Sequence, residues 1–597
     1  MIDDVRAHTI YFIVTDRFYN SDPANDGGRT PECYDGTHKD WGKYWGGDLG
    51  GIIAKLDYLR GLGASAIWVT PVFEQVRGLT DAEGRGHAAY HGYWARDFRQ
   101  LDEHLCSSPT DVEVFRHDDT VFDKLLAELA GRDMTLLLDV VCNHSSPEVG
   151  KHKGELYDNG KFLTSYEDDR LGWYHRAGGI TDWRTERVVQ QGELCGLADF
   201  NENVYGYRQY IKDVMKDWLD KGVGALRVDT VKHMPLWFWQ EWVSDLREHR
   251  PGLFMVGEWF LGGCWDPASI EFANRSGMTI FDFALQRALE EALARSVYEG
   301  FHQVHNVIDR DNAFSRATHL VTIIDNHDMP RFLSSGATQR RLEMAVELIM
   351  VARGIPCLYY GTEQYLHDDT QGGVDPYNRP MMDRWDTTTP LYRAVSALAR
   401  VRRDNPAVQR GFQHARLLTT DTYVFERGWG ESVCLAAFNR GAARTVGPIP
   451  TALPDGTHSC VLTGRAVTVR DHRIESLPLA ADDSLVLSHA VADPPQQGTR
   501  MTFQLNGYAT AFGERLAVIG SSPELGEWDL AKAKPLRYVN PNLWEGDVDF
   551  TASAGKVVRV KFAILRDGSE PTYEVARPRH IYIPPDGRAL KTERWNG

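Results

Sequence analysis

The chain has 597 residues, of which 42% are hydrophobic and 25% charged, and a net charge of −17. That length holds several domains with large cores. The negative balance argues against a polyanionic partner such as nucleic acid and fits an enzyme with a neutral substrate. No apolar run is long enough to span a membrane, and the opening residues lack the basic and apolar regions of a signal peptide. The 17 Trp and 24 Tyr suit carbohydrate recognition, where rings stack on sugar faces, although buried core aromatics are the ordinary use of such residues. The eight cysteines are scattered, with no CxxC spacing, so no disulfide framework is expected and several read as buried free thiols.

The elements alternate. His8–Val14 reads as a first strand, followed by a loop rich in oxygen donors: Asn20, Asp22, Asn25, Asp26, Gly46 and Asp48. Such a Gly-bearing cluster suits a hard cation such as calcium, though a single loop of this kind is more often only a turn. Helical spacing over 52–62 leads to a second strand, 64–71. The aromatic stretch Tyr90–Phe98, with His91, Tyr93 and Trp94, reads as a loop that forms a sugar platform or a hydrophobic anchor. A helix over 121–129 precedes a third strand, 135–141, which runs into Asn143 and His144. A long polar insertion, 145–203, follows, and loops of that length are usually functional.

A helix over 207–221 leads to the strand that opens at Gly224 and ends in Arg227, Asp229, Lys232 and His233. Further strands are expected at 253–260, 278–283, 319–328 and 355–361, with helices over 340–352 and 391–403. Eight alternations of strand and helix indicate an α/β protein built on a (β/α)8 barrel. From about residue 412 the pattern changes to short alternating strands, then a Pro- and Gln-bearing linker, then a second all-β stretch. The domains are accordingly a barrel over 1–144 and 204–411, an insertion over 145–203, a β-sandwich over 412–492, a linker at 493–499 and a terminal β-sandwich over 500–597.

Polar residues at the C-terminal ends of barrel strands read as catalytic. Three carboxylates stand there: Asp229, Glu258 and Asp328. Arg227 lies two residues before Asp229, on the same strand face, and can hold that carboxylate ionised as a nucleophile requires. Glu258, flanked by Val256, Trp259 and Phe260, has the more apolar setting, which suits a general acid. Asp328, beside His327, would bind sugar hydroxyls, and His144 would hydrogen-bond there too. This is the carboxylate set of retaining glycoside hydrolysis.

These motifs, Asp139-Val-Val-Cys-Asn143-His144, Gly224-Ala-Leu-Arg227-Val-Asp229, Gly257-Glu258-Trp259-Phe260 and Asp325-Asn326-His327-Asp328, resemble those of the α-amylase family, glycoside hydrolase family 13. Within the insertion, Leu197-Ala198-Asp199-Phe200-Asn201 resembles a fifth family segment. The resemblance implies Asp229 as nucleophile, Glu258 as acid/base and Asp328 as transition-state stabiliser. It implies that Arg227, His144, His327, Tyr93 and His91 line the cleavage subsite, that Lys232 and His233 lie on the leaving-group side, and that Asp375 and Arg379 bind on the donor side. It implies a structural calcium site from Asn143, Asp199, the backbone of His233 and a backbone oxygen near Gln190. Asn20, Asp22, Asn25, Asp26, Gly46 and Asp48 match a second calcium loop of the cyclodextrin glucanotransferase and maltogenic amylase branch.

The terminal stretch Ser522-Pro-Glu-Leu-Gly-Glu-Trp528-Asp529 resembles a starch-binding module of carbohydrate-binding family 20. There Trp528 would stack on glucose, and Trp544 would belong to a second aromatic patch or to the core. Tyr573 stands where a second stacking Trp is expected. Two departures favour hydrolysis over cyclisation. The immunoglobulin-like domain that the transferases carry before this module is missing. Cys195 occupies the position at which cyclising enzymes place Tyr or Phe, so no ring is present for a glucan chain to curl around, while Trp183 and Phe260 keep aromatic character at the flanks. The expectation is therefore an α-amylase that hydrolyses α-1,4-glucans to malto-oligosaccharides with some transglycosylation, the alternative being a cyclodextrin glucanotransferase. A non-catalytic glucan-binding protein is a third reading, disfavoured by the intact carboxylates. Starch and malto-oligosaccharides are the expected partners, calcium the expected ion, and a secreted monomer the expected form.

Overall fold

Each of the eight apolar runs forms a strand, and the charged residues fall at or next to its C-terminal end. In the computed structural model these are β1 (Ile10–Ile13), β2 (Ala66–Val69), β3 (Thr135–Val140), β4 (Ala225–Val228), β5 (Phe254–Gly257), β6 (Thr279–Ile280), β7 (Val321–Thr322) and β8 (Ile355–Tyr359). The structure describes residues 4–80, 86–492, 499–540, 543–566, 568–575, 577–584 and 587–596. Most of the expected linker, 493–498, lies outside the described residues. All neighbouring barrel strands pair in parallel, in the order β6-β5-β4-β3-β2-β1-β8-β7. A parallel bridge from Phe281 to Val321 joins the two ends, which closes the barrel.

The helices return the chain between strands, and their ends are chemically marked. Asp48 accepts from the Gly51 amide at the start of Leu49–Leu62, and Thr120 with Asp123 makes a capping box ahead of Val121–Ala130. Gly63 ends the first helix at φ 97°, where a side chain would also strike Ala399 at 2.4 Å. The strands are buried along nearly their whole length, so they read as mostly apolar runs and not as alternations.

The aromatic stretch after residue 90 is not all loop. Ala95–Leu101 is a strand that pairs antiparallel with Phe73–Gln75 and parallel with Leu156–Asp158 of the insertion. Its charges disguise it, and tertiary contacts satisfy them: Arg99 reaches Asp158 at 2.7 Å and Asp217 at 2.6 Å. The insertion is thereby stitched to the barrel by a four-stranded sheet.

Beyond the barrel, β9 (Phe412–Leu418), β10 (Thr422–Trp429), β11 (Ser432–Asn439) and β12 (Asp483–His489) form one antiparallel sheet. Both of its faces are covered. Tyr423, Phe425, Cys434 and Phe438 join the barrel core, whereas the alternate residues Val424, Val433, Leu435 and Leu487 pack in a separate core. The terminal unit has its own core around Met501, Phe503, Phe550 and Phe562, between the sheet β13 (Thr499–Asn506), β14 (Arg537–Asn540), β15 (Leu543–Asp549), β16 (Gly587–Arg594) and a second sheet led by Val557–Arg566. No described helix is long and apolar enough to cross a membrane. All eight cysteines are free thiols, seven of them buried and Cys195 exposed.

Candidate active site

Strand register places Arg227 at the centre of the barrel's C-terminal face. On β4 it lies level with Asp139 of β3. Its Nη1 donates to Asp139 Oδ1 at 2.8 Å and to Asp229 Oδ1 at 2.7 Å, while Nη2 lies 2.7 Å from Glu258 Oε1. One fully buried guanidinium thus serves three carboxyl groups. Asp229 and Glu258 sit against neighbouring nitrogens of the same group, which favours the retaining separation of about 5–5.5 Å over the wider inverting gap. Just after Asp229, the β-branched Thr230 is held at φ 47°, a strained conformation that ends the strand and leads into the turn Val231–His233.

The three carboxyl groups around Arg227 compete for one positive charge in a dry setting. Burial, only partly offset by Arg227, pushes Glu258 well above the usual carboxylate range, and the negative charges of Asp229 and Asp328 push in the same direction. Glu258 is therefore a proton donor at neutral pH. Burial also lifts Asp328 to about 6, against the pull of Arg379 and Arg227. Asp139 is lifted to about 7 by burial. Asp139 opens the first family motif, and no local pattern assigns it a role. The structure gives it one: it accepts from Arg227, from Tyr93 Oη at 2.8 Å and from Trp68 Nε1 at 3.0 Å, so it fixes both a cleft ring and the central cation.

Several of the other residues named from the sequence pack beside this centre, and the rest are placed as follows. The Tyr93 ring stacks on His327 at 5.3 Å between centroids, and Trp94 meets His91 edge-on at 4.6 Å. His91 Nδ1 accepts from the Tyr93 amide at 3.1 Å. Burial drives His91 and His327 well below the usual imidazole range and lowers His144, so all three are neutral hydrogen-bonding groups. His144 is buried with Nε2 unpartnered, a free valence for a sugar hydroxyl. Arg379 spans Asp375 at 3.1 Å and Asp328 at 3.4 Å. On the other side His233, lowered to about 4 by burial, donates from Nδ1 to the Val189 carbonyl at 3.2 Å and meets the Trp183 ring at 6.0 Å. Trp183 is 56% and Phe260 41% exposed, large rings left open to solvent. Cys195 is exposed in a left-handed turn, φ 51°. Lys232 is half-buried beside His233, and Gln190 spends its side chain on Glu186 at 2.9 Å.

The oxygen donors nominated for calcium meet a physical test. Asn143 Oδ1 is buried without a partner, while Asn143 Nδ2 donates to Asp199 Oδ1 at 3.2 Å. Asp199 is raised to about 7 by burial, with His175 at 2.7 Å on its other oxygen. In the first loop, Asn20 Oδ1 and Asn25 Oδ1 are likewise buried and unpartnered, and the Asp26 carboxylate lies 2.9 Å from Asn20 Nδ2. These sets fit a hard cation. Asp48 and Asp22 serve otherwise: Asp48 accepts from Ser21 Oγ at 2.7 Å and from the Ser21, Asp22 and Gly51 amides, and Asp22 closes its own turn on Ala24. Among the described residues no group of three or more His, Cys, Asp or Glu could hold a metal, so a cation at either place would depend on amide and backbone oxygens beside a single carboxylate.

Residues 12–407 match the alpha amylase catalytic domain. The chain belongs to the α-amylase family. Residues 498–593 match a starch binding domain. The cyclomaltodextrin glucanotransferase of Klebsiella oxytoca is 34% identical over 96% of this chain and 91% of its own length. An alpha-amylase of Niallia circulans is 36% identical over 77% of this chain and 86% of its own. A solved cyclomaltodextrin glucanotransferase with a three-domain ABC distribution superposes with a TM-score of 0.76, at 35% identity, covering 81% of this chain and 99% of that one. As a member of this family with a starch-binding domain, the chain is an enzyme that acts on α-glucans.

In the starch-binding domain, Trp528 is half-buried at φ 70°, with the Arg559 guanidinium 5.9 Å from its ring. Tyr573 is exposed on a short edge strand. Trp544, nominated for an aromatic patch or the core, is 7% exposed and packs with the core residues of this unit. Its neighbours on β15 explain this: Trp544, Val548 and the intervening Gly546 share the inward strand face.

Proposed function

We propose that the protein is a retaining glucanotransferase of the cyclodextrin-forming kind, acting on starch and malto-oligosaccharides, with hydrolysis as the competing reaction. The sequence motifs alone favour the hydrolase, and the similar proteins weigh the other way, because two of the transferases among them match 96% and 93% of the chain. The observation that carries the proposal is the open aromatic rim: Trp183 and Phe260 are exposed beside His233 and Glu258, positioned to stack an incoming glucose unit against the glycosyl-enzyme.

In this reading the Asp229 carboxylate attacks the anomeric carbon as the glycosidic C–O bond breaks, and the Glu258 proton passes to the departing oxygen. Arg227 keeps the nucleophile charged, and Asp328 with His144 and His327 binds the ring hydroxyls of the reacting sugar. In the second step a glucose 4-hydroxyl attacks the same carbon, its proton returns to Glu258, and the Asp229 ester bond breaks. When the hydroxyl belongs to the bound chain's own end the product is cyclic. When water attacks instead, the product is linear. Calcium held by Asn143, Asp199 and backbone oxygens would supply the charge that ties insertion to barrel, and Asn20, Asn25 and Asp26 would hold a second ion. We place the enzyme outside the cell, as a monomer, where polymeric starch is accessible.

Cys195 favours the second reading, an amylase, since its small exposed side chain offers no ring to a curling chain. The double variant W183A/F260A separates the two. A transferase loses transfer to maltose while keeping hydrolysis, and a hydrolase loses neither selectively.

A further inference from the structure

The terminal unit presents a sheet face that its sequence marks for water and its structure buries. On β13 the inward residues Met501, Phe503 and Leu505 alternate with Thr502 and Gln504, which must point out of that core. Register pairs Gln504 with Glu545 and Thr502 with Asp547 of β15, and Glu545 with Arg537 of β14, so these polar residues share one outer face. Yet Gln504 is 0% and Glu545 1% exposed. Gln504 Nε2 donates to Glu545 Oε2 at 2.7 Å, and Thr592 Oγ1 donates to Gln504 Oε1 at 3.2 Å, a network that an exposed face would have no need to close.

The sandwich lies against this face. The Arg537 guanidinium lies 3.6 Å from the centre of the Trp429 ring, at the end of β10. The same ring carries Arg410, 5.0 Å away, from the segment that joins barrel to sandwich. Arg410 reaches Asp4 at 3.8 Å, and Asp4 holds Arg6 at 2.9 Å. Burial pushes the Glu545 carboxyl up, and Arg6 is the strongest of the charges that pull it back down. Arg6, Arg410 and Trp429 are all buried. A half-buried cation stacked over a buried indole, beside a closed Gln504–Glu545 hydrogen bond, is a specific contact and not a chance touch.

We propose that the starch-binding domain is locked onto the catalytic body by this seam, with Trp429–Arg537 as its fastening, and is not a tethered accessory. The seam holds Trp528 and Tyr573 at one fixed place relative to the barrel mouth. A glucan strand captured on a granule is then delivered along one path, whereas a tethered module would only raise local concentration.

The test uses the full chain and the variant R537E, which places a carboxylate beside the indole and leaves the module's core untouched. Small-angle scattering, calorimetry, adsorption to starch granules, and turnover of granules and of maltoheptaose are measured. The lock predicts a parent whose scattering matches one rigid particle. For R537E it predicts a larger maximum dimension, a terminal unit that melts apart from the barrel, retained adsorption, unchanged kcat/KM on maltoheptaose and slower granule digestion. If R537E no longer adsorbs, the module itself is damaged, and W429A, which alters only the sandwich side, takes its place with the same expected readings. Parent scattering that fits a freely tethered pair, or an adsorbing variant indistinguishable from the parent in scattering and melting, overturns the proposal.

Discussion

Replacing Arg227 with Met removes the cation shared by Asp139, Asp229 and Glu258 and keeps most of the side-chain volume. At about 4 Å between charge centres and an effective dielectric constant of about 20, each attraction is worth about 4 kcal/mol. That equals about 3 pKa units at 1.36 kcal/mol per unit. Asp139 already stands at about 7 with Arg227 present, so without it this carboxyl stays protonated through the neutral range. Breaking a buried ion pair on one side costs about 3–5 kcal/mol. Proton uptake relieves part of that cost. A buried carboxyl whose folded pKa lies above its unfolded value stabilises the fold at low pH and loses that stabilisation as pH rises through the folded value. R227M is therefore expected to lose less stability at about pH 5 than at about pH 8, and the acid limb of its kcat/KM profile moves upward by as much as about 3 units. R227K retains a charge but cannot offer two separate nitrogens, so it falls between. Thermal unfolding at both pH values and a rate profile on maltoheptaose measure this. An R227M protein that melts with the parent at both pH values and keeps its acid limb refutes the shared-cation account.

The other predictions follow from the same contacts. E258Q loses activity by about 10²–10⁴-fold, and its residual rate lacks the alkaline limb that loss of the Glu258 proton gives the parent; adsorption to starch stays intact, since it depends on a separate domain. C195Y raises the ratio of cyclic to linear products, measured by chromatography after incubation with soluble starch; an unchanged ratio removes Cys195 from the argument. Moving from calcium at about 100-fold over its Kd to excess chelator costs about 2.7 kcal/mol of unfolding free energy, seen as a lower melting temperature. That loss vanishes in D199N if Asn143 and Asp199 form the site. W528A and Y573A weaken granule adsorption with little change in melting, whereas W544A destabilises the terminal unit by about 3–5 kcal/mol because it empties a core position.

The barrel was legible because its strands are apolar runs that stop at charged residues, and because the four quoted motifs fall at those stops. The strand Ala95–Leu101 was not, since Arg96, Asp97 and Arg99 look like a solvated loop until Glu74, Asp158 and Asp217 are brought opposite them. The insertion's sheet is built from strands of two to four residues, too short for a period of two to show. The part played by Asp139 depends on its register with Arg227, which no local pattern encodes. Alternation along Met501–Leu505 predicts that Gln504 faces water, whereas it is buried, bonded to Glu545 and Thr592, on the face where Arg537 meets Trp429. Transfer and hydrolysis share every carboxylate, so motifs could not separate them. Their difference lies in which nucleophile the rim around Trp183, Cys195 and Phe260 admits.

The central claim is that a sugar hydroxyl outcompetes water at the glycosyl-enzyme. The most direct measurement is the partition of that intermediate by the parent enzyme on soluble starch, with cyclic products and chain transfer counted against new reducing ends. The account predicts that cyclisation and transfer together exceed hydrolysis, with α-1,4-linked rings among the products. A yield of linear maltose to maltohexaose in which each cleaved bond appears as a new reducing end would contradict it and return the protein to the amylases.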